Sequence, residues 1–494
     1  MTPIDNTIQF VLDGKIVRAQ GERRTTTVLD YLRENLHRTG TKEGCAEGDC
    51  GACVVMLGTL NASGTAIDYV PVNACIQLLP SIDGKALKTI ESLKRSDGSL
   101  HPMQEAVAKG HGTQCGFCTP GIVMSLVSVV QVVPQPSRQQ LTDALSGNLC
   151  RCTGYKPIID AAQSACRTGA PMSVQNPQEL ELLRSIQRPA VPTITLEGDI
   201  LVQPVIRTRK GSEFVSPSTS DEVAAYLLQH PQATLLAGST EIGLQVNKQF
   251  TRPSHICYVG NVKDFQSIAQ NERSMTFGAG VSIERVAQHI RDILPDFAEV
   301  LRRFGSPPIR STATLAGNIV NGSPIGDSMP CLLALDAELG LRKGDQRRVV
   351  KLENFYTGQK QSVLQPSEFV EWVRFQKPTQ EKVFKAHKVS KRFEQDISAT
   401  CAAMSFVNEK GRLRSVRLAY NGLTPYPARA KQIEAYLEGK ALSDIRSSEI
   451  DELIAQNYVA RDGLRATWAY RSLVARNLVL QFIEDAAPEV AKEV

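Results

Sequence analysis

Eight cysteines near the start of the sequence fall into two groups of four, and their spacing limits the chemistry they can do. Cys45, Cys50 and Cys53 lie in "GCAEGDCGACVVM" as C-x4-C-x2-C, and Cys75 follows after 21 intervening residues. Cys115-x2-Cys118 and Cys150-x-Cys152 make the second group, with 31 residues between its two pairs. Disulfides, a zinc clip and an iron–sulfur cluster are the three uses for thiols in such sets. Of the twelve cysteines, nine precede residue 170, whereas Cys257, Cys331 and Cys401 stand singly. The N-terminal stretch alternates apolar and polar residues instead of forming an apolar leader, so the expected compartment is intracellular. Thiols stay reduced there, which argues against disulfides. Zinc suits four thiolates, and a lone C-x2-C pair would favour it.

The first group has the plant-type ferredoxin spacing, C-x4-C-x2-C…C, which wraps one loop around a 2Fe-2S core. Such a loop must turn its backbone N–H groups inward to ease the negative charge on sulfur. Gly44, Gly48 and Gly51 permit the backbone angles and the close approach that this needs. Each pair of the second group sits where a predicted helix meets a loop, so two helix ends could bring four thiolates together. Cys166 reads as a small buried side chain.

A second kind of chemistry is suggested further along. "TLLAGSTEIGLQV" (234–246) reads as a strand, a Gly/Ser/Thr turn and a helix, an arrangement that exposes N–H groups to phosphate. "RSTATLAGNIVNGSPIGD" (310–327) offers another loop of this character. Each alone is weak evidence and reads more readily as a plain structural turn; two in one segment better suit a cofactor with a pyrophosphate. No G-x-G-x-x-G follows a strand, so a Rossmann site is not expected.

Elements must position these groups. "TIQFVL" and "KIVRA" around Asp13-Gly14 predict a hairpin, since Asp-Gly supplies the positive φ of a tight turn. Val28, Leu32 and Leu36 recur at helical spacing, and "ACVVML" and "YVPVNA" read as strands flanking a turn at 61–65. From about 100 to 168 the pattern is helical, with Pro120 and Pro157 at helix starts and Gly147 and Asn148 at a helix end. Pro171, Pro177, Pro189, Pro192 and Pro204 mark 171–205 as a linker draped over the surface. Strands and helices then alternate to about 380, and the rest reads as strands with a closing helical tail.

The bulk properties exclude some classes. At 494 residues, with 42% apolar and 22% charged residues, the chain should form several domains of an ordinary soluble protein. A net charge of +5 with interspersed signs is not the basic face of a nucleic-acid binder. The longest apolar run, "GIVMSLVSVVQVV", has thirteen residues, too few to cross a membrane.

"EGCAEGDCGACVV", "QCGFCTPGIVMS" and "LSGNLCRCTGY" resemble the iron–sulfur half of the molybdenum hydroxylases, which include xanthine dehydrogenase and aldehyde oxidase. The resemblance implies one 2Fe-2S cluster on Cys45, Cys50, Cys53 and Cys75 and another on Cys115, Cys118, Cys150 and Cys152. The two later loops and "RRFGSPPIRS" resemble the FAD domain of the same family. By that resemblance Leu235, Leu236, Ala237, Gly238, Ser239, Thr240, Glu241 and Ile242 line the FAD diphosphate. Thr314, Leu315, Ala316, Gly317 and Asn318 line it too, and Asp327 makes a polar contact. Phe304 flanks the flavin, and Lys388 with Asp396 in "HKVSKRFEQDI" closes the site. Ser239 stands where some relatives have Asn. Gln114 and Cys152 would face the pterin of a molybdopterin cofactor on another subunit.

The implied fold is α+β and multidomain. A plant-type 2Fe-2S ferredoxin β-grasp domain (1–90) and a four-helix 2Fe-2S domain (91–170) precede the linker (171–205). A two-part α+β FAD-binding domain (206–380) and a C-terminal α+β flavoprotein subdomain (381–494) follow. No molybdopterin domain follows, so the expectation is the small subunit of a two-subunit bacterial enzyme of the xanthine dehydrogenase kind. Substrate chemistry on hypoxanthine or xanthine would then lie on a molybdopterin-binding large subunit, in a heterodimer or dimer of heterodimers. Electrons would run through both clusters to FAD and on to NAD+, in the cytoplasm, with no nucleic acid and no membrane. The alternative is a redox carrier serving an aldehyde oxidase or carbon monoxide dehydrogenase type of hydroxylase.

Overall fold

The computed structural model describes residues 7–95, 97–187, 213–460, 462–463 and 465–486, together with the backbone of the short strands 194–196, 199–201 and 205–207. It divides into two compact units: Met1–Val262 with Gly305–Ala313, and Lys263–Phe304 with Thr314–Val494.

The first unit begins with the predicted hairpin, β1 (Thr7–Leu12) and β2 (Lys15–Gln20), whose turn residues Asp13 and Gly14 have φ of 51° and 68°. These are the paired positive angles that match the twist of the flanking strands. With β3 (Val54–Leu60), β4 (Ile67–Asn73) and β5 (Ala86–Lys88) they form a sheet of order β2-β1-β5-β3-β4. Only β1 and β5 run parallel. The predicted helix over Val28 to Leu36 is one α-helical turn, Val28–Asp30, continued as a π-helix, Tyr31–Asn35. Thr27 caps it by accepting the Asp30 N–H at 3.1 Å, and Val28, Leu29, Tyr31 and Leu32 are buried.

Four helices follow as expected: α1 (Pro102–Lys109), α2 (Thr119–Val132), α3 (Arg138–Ala144) and α4 (Lys156–Arg167). Pro102, Pro120 and Pro157 occupy their first turns, where the missing N–H costs nothing. Helix α2 is buried over most of its circumference and so sits at the centre of the group.

The linker expectation needs correction. Pro177–Ser185 is a helix, capped by Asn176, with Leu183 fully buried and Glu179 only 2% exposed. Glu179 lies 2.6 Å from Lys88 Nζ on β5 and accepts the Gly14 N–H at 3.0 Å. This segment docks on the sheet because a buried cation there needs its carboxylate. Pro189, Pro192 and Pro204 lie outside the described residues.

A second sheet of this unit orders Thr234–Leu236, His255–Tyr258, Glu213–Val215 and Val205–Arg207, the first three parallel. Phe214, Leu236, Ile256 and Tyr258 share one core with Phe10, Leu32 and Leu78 of the ferredoxin-like part.

The second unit holds an antiparallel five-stranded sheet in which Phe277 and Phe375 stack at 5.6 Å. Its four-stranded antiparallel sheet (Lys382–Val389, Thr400–Glu409, Arg412–Tyr420, Ala428–Arg429) packs on the helices Lys431–Leu437, Ser447–Asn457 and Trp468–Ala486. The segment 206–380, expected as one domain, is thus shared between the two units. Among the described residues no helix is long and apolar enough to cross a membrane.

Candidate redox-cofactor sites

The first thiol set is assembled by strand pairing. Cys53 immediately precedes β3 and Cys75 lies just beyond β4, whose register sets Val54 opposite Asn73. Their sulfurs therefore meet at 3.3 Å, and the two residues are 1% and 2% exposed. The loop between folds back on itself through positive φ at Ala46, Gly48 and Gly51. This turns the N–H groups of Glu47, Asp49 and Cys50 onto Cys45 Sγ at 3.4, 3.3 and 3.4 Å. Hydrogen bonds from the Cys50 and Cys75 thiols, with those N–H groups, hold the Cys45 thiol far below its ordinary pKa. The same contacts push Cys50 and Cys75 upward. Asn73 Nδ2 donates to Gly48 O at 3.0 Å, and Asn247 Nδ2 donates to Ala46 O and Cys75 O at 3.0 and 2.7 Å. Neither asparagine is singled out by any sequence pattern.

The second set is assembled by helix ends. Cys118 is the N-cap residue of α2, and Cys150 and Cys152 lie in the turn leading to α4. That turn is closed by Tyr155, at φ 69°, whose hydroxyl accepts the Cys150 N–H at 2.7 Å. Cys115 contacts Cys152, and Cys118 contacts Cys150. Burial pushes the Cys118 thiol up to about 12. Cys150 sits below the ordinary range: burial works to raise it, but hydrogen bonds from Thr153 and the backbone outweigh that. The two sets differ in access, since Cys115 and Cys152 are exposed, as are Phe117 and Leu149 beside them. Gln114 is exposed too and makes no hydrogen bond among the described residues.

All twelve cysteines are free thiols. The sulfurs of each set meet pairwise, and among the described residues no three donors surround a single-ion position. Four sulfurs brought together in contacting pairs in each set, with inward N–H groups at Cys45, fit an anionic iron–sulfur core.

Of the expected flavin residues in the first unit, Thr234–Leu236 is a strand and Ile242–Lys248 a helix, as read from sequence. The turn between them has structural work of its own. Ser239, at φ 63°, donates its hydroxyl to Ile76 O at 2.5 Å and accepts the Gly243 N–H at 2.8 Å. A Cβ at Gly238 would stand 1.9 Å from Thr312 O, so only glycine fits there. Leu236 belongs to the core, while Leu235, Ala237, Thr240, Glu241 and Ile242 are half-buried.

In the second unit, Thr314 caps the helix Leu315–Asn321 by accepting the Gly317 N–H at 3.0 Å. Leu315 and Ala316 are buried, and Asn318 accepts the Ser328 hydroxyl at 2.6 Å. The structure joins Asp327 and Lys388 in a buried pair at 2.8 Å. Asp327 also accepts from Ser398 at 2.5 Å and Asn421 at 2.9 Å, and Lys388 donates to Arg303 O at 2.9 Å. Arg303 returns the link by donating to Lys388 O at 2.8 Å. Asp396 has a separate set of partners: the N–H groups of Arg392 and Ile397, both at 3.0 Å, and Arg465 Nη1 at 3.1 Å. Its carboxyl sits below the ordinary range, these donors outweighing the opposing effect of burial. Phe304 is half-buried.

Residues 10–77 match the 2Fe-2S iron-sulfur cluster binding domain, and residues 89–163 match a second 2Fe-2S binding domain. Residues 209–377 match the FAD binding domain in molybdopterin dehydrogenase, and 385–486 the CO dehydrogenase flavoprotein C-terminal domain. By these matches the chain is similar to the iron–sulfur and FAD portion of molybdenum hydroxylases. It carries two 2Fe-2S binding domains and one FAD-binding domain.

Among curated relatives, xanthine dehydrogenase of Drosophila subobscura is 33% identical over 84% of this chain and 34% of its own length. Xanthine dehydrogenase/oxidase of Mus musculus is 31% identical over 92% of this chain and 37% of its own length. The chain thus spans about a third of the length of these relatives. A carbon monoxide dehydrogenase structure from Hydrogenophaga pseudoflava superposes with a TM-score of 0.51 at 22% identity, covering 55% of this chain and 95% of the other. Quinoline 2-oxidoreductase from Pseudomonas putida 86 gives 0.50 at 21%, covering 57% and 98%. These two likenesses show the fold.

Proposed function

We propose that this chain is the electron-transfer subunit of a bacterial xanthine dehydrogenase made of two kinds of subunit. The observation that carries this is the presence, on one chain, of two complete four-thiol sets and an FAD domain, in a sequence similar to xanthine dehydrogenases over most of its length. When bound, the clusters pass single electrons and FAD passes a hydride to NAD+; that chemistry belongs to the cofactors.

The chain's own residues bind and position. Cys45, Cys50, Cys53 and Cys75 hold one cluster in a buried pocket, with N–H groups offsetting its charge. Cys115, Cys118, Cys150 and Cys152 hold the other at the surface, where a partner's centre can approach. Leu235 to Ile242, Phe304, Thr314 to Asn318, Asp327, Lys388 and Asp396 are the proposed FAD residues. The limits set out for the two 2Fe-2S domains (1–90 and 91–170) and the C-terminal subdomain (381–494), a cytoplasmic location and a molybdopterin-binding partner, in one or two heterodimers, belong to the same proposal. Co-purification from the native source, with molybdenum analysis and a xanthine/NAD+ assay, tests it. Molybdenum with activity on aldehydes or carbon monoxide but not xanthine would move the chain to the alternative reading.

FAD rather than FMN is expected on extraction of the flavin, because two phosphate-type loops suit a diphosphate. Chromatographic recovery of FMN would refute that.

Gln114, exposed and without a partner of its own, is proposed to meet the pterin with an amide that both donates and accepts. Gln114→Ala should slow reduction of the clusters by xanthine and leave NADH oxidation by artificial acceptors unchanged. Equal loss of both activities, or of neither, removes Gln114 from that role.

A further inference from the structure

A cleft of about 340 Å³ opens in the second unit, where the strand Phe369–Gln376 ends and Lys382–Val389 begins. Pro378 cannot extend the first strand, and the Lys382 N–H closes the turn by donating to Thr379 O at 3.1 Å. Leu294, Pro295, Pro378 and Phe384 belong to the cleft's apolar wall. Small-molecule sites have this make-up, apolar with a few polar groups, and run from about 300 to 1,000 Å³.

Among the described residues Lys382 is the one charged group in the lining. Its side chain is only 20% exposed, yet its ammonium makes no hydrogen bond among the described residues. The Asp336 carboxylate lies 3.9 Å away, too far to accept one, and is engaged by Arg417 Nε at 2.9 Å. Arg429, 4.0 Å from Asp336, is held instead by Glu353 and Glu434 at 3.1 and 2.6 Å. Asp296, next to Pro295, directs its carboxylate to the Ala386 N–H at 3.3 Å.

An ammonium carries three donors, and taking it partly out of water without acceptors is costly. Burial accordingly lowers the Lys382 pKa; Asp336 works to raise it, and Arg417 and Arg429 add to the lowering. An anion entering the cleft would supply the missing acceptor, and the apolar wall would favour an anion with an apolar body. One ammonium matches a single negative charge better than the two of a phosphate group.

We propose that this cleft binds a small monocarboxylate with an aromatic or branched aliphatic body, its carboxylate received by Lys382 Nζ and its body lying against Leu294, Pro378 and Phe384. Thr379 and Gln380, both exposed in the lining, offer a hydroxyl and an amide to the second carboxylate oxygen. The proposed cofactor residues do not line the cleft, so the site stands independently of the function proposed above.

The test titrates the holoprotein with benzoate, followed by calorimetry. Binding should saturate at one benzoate per chain, and Lys382→Met should weaken it by about tenfold to 100-fold, the scale of a hydrogen bond to a charged group. Benzyl alcohol has the shape without the charge, and inorganic phosphate the charge without the apolar body; both should bind more weakly than benzoate. Affinity should fall as pH rises, because the free amine must gain a proton to receive the carboxylate. That proton uptake appears as a binding heat that varies with the ionisation enthalpy of the buffer. Lys382→Arg, always charged, should keep binding and lose the uptake, a result that does not depend on the methionine variant folding. Non-saturating benzoate, parental affinity in a folded Lys382→Met, equal affinity for benzyl alcohol, or proton uptake that persists in Lys382→Arg would each overturn the proposal.

Discussion

Cys50→Ala should erase one of two paramagnetic signals from the reduced protein and lower bound iron from about four to about two atoms per chain. The loss should be complete for that signal because the Cys50 thiol is one of four convergent sulfurs, in contact with Cys45. The other signal should survive. The second set makes its sulfur contacts within itself, Cys115 with Cys152 and Cys118 with Cys150. Moreover, the Leu149 N–H donates to the Cys50 carbonyl, which alanine keeps, so that bond between the two loops remains. Iron analysis and low-temperature electron paramagnetic resonance decide the matter. Disappearance of both signals would mean the sets are not independent, and an unaltered spectrum would remove Cys50 from the ligands.

Lys388→Met should cost about 3–5 kcal/mol of stability, read by chemical denaturation. Asp327 is 5% exposed, and without the ammonium at 2.8 Å its charge would be left with only the neutral donors Ser398 and Asn421. Lys388 in turn would no longer hold Arg303 O, which ties two segments of the second unit together. Replacing both partners, Lys388→Met with Asp327→Leu, should recover most of that loss, because no charge is stranded. The double variant then isolates function: with the fold restored, weaker FAD retention would assign the pair to the cofactor. A single variant as stable as the parent would show that Asp327 does not need Lys388.

The first thiol set was legible because its loop is local: three of its four cysteines come within nine residues, and the glycines that let it turn stand among them. The β1–β2 hairpin and the proline-started helices were legible for the same reason, each being specified by neighbours within one turn of the chain. The two later loops, at 234–246 and 310–327, were legible as shapes, yet their side chains were not. Ser239 and Asn318 look free in the sequence, whereas the fold commits them to Ile76 O and Ser328.

Other features depended wholly on distant residues. Glu179 reads as one more solvated acid in a proline-rich stretch, and only the approach of Lys88, 91 positions away, makes it an anchor. Asp327, Lys388, Ser398 and Asn421 span nearly a hundred residues before they converge. Asn148 gives no sign in the sequence that its amide donates to Gly51 O. By itself the sequence determined which thiols fall into sets of four and where the first hairpin and the proline-started helices of 100–168 begin, since those depend on residue type and short spacing. Tertiary structure alone decided which polar groups lose their water, and a group that loses water must find its partner wherever packing brings one.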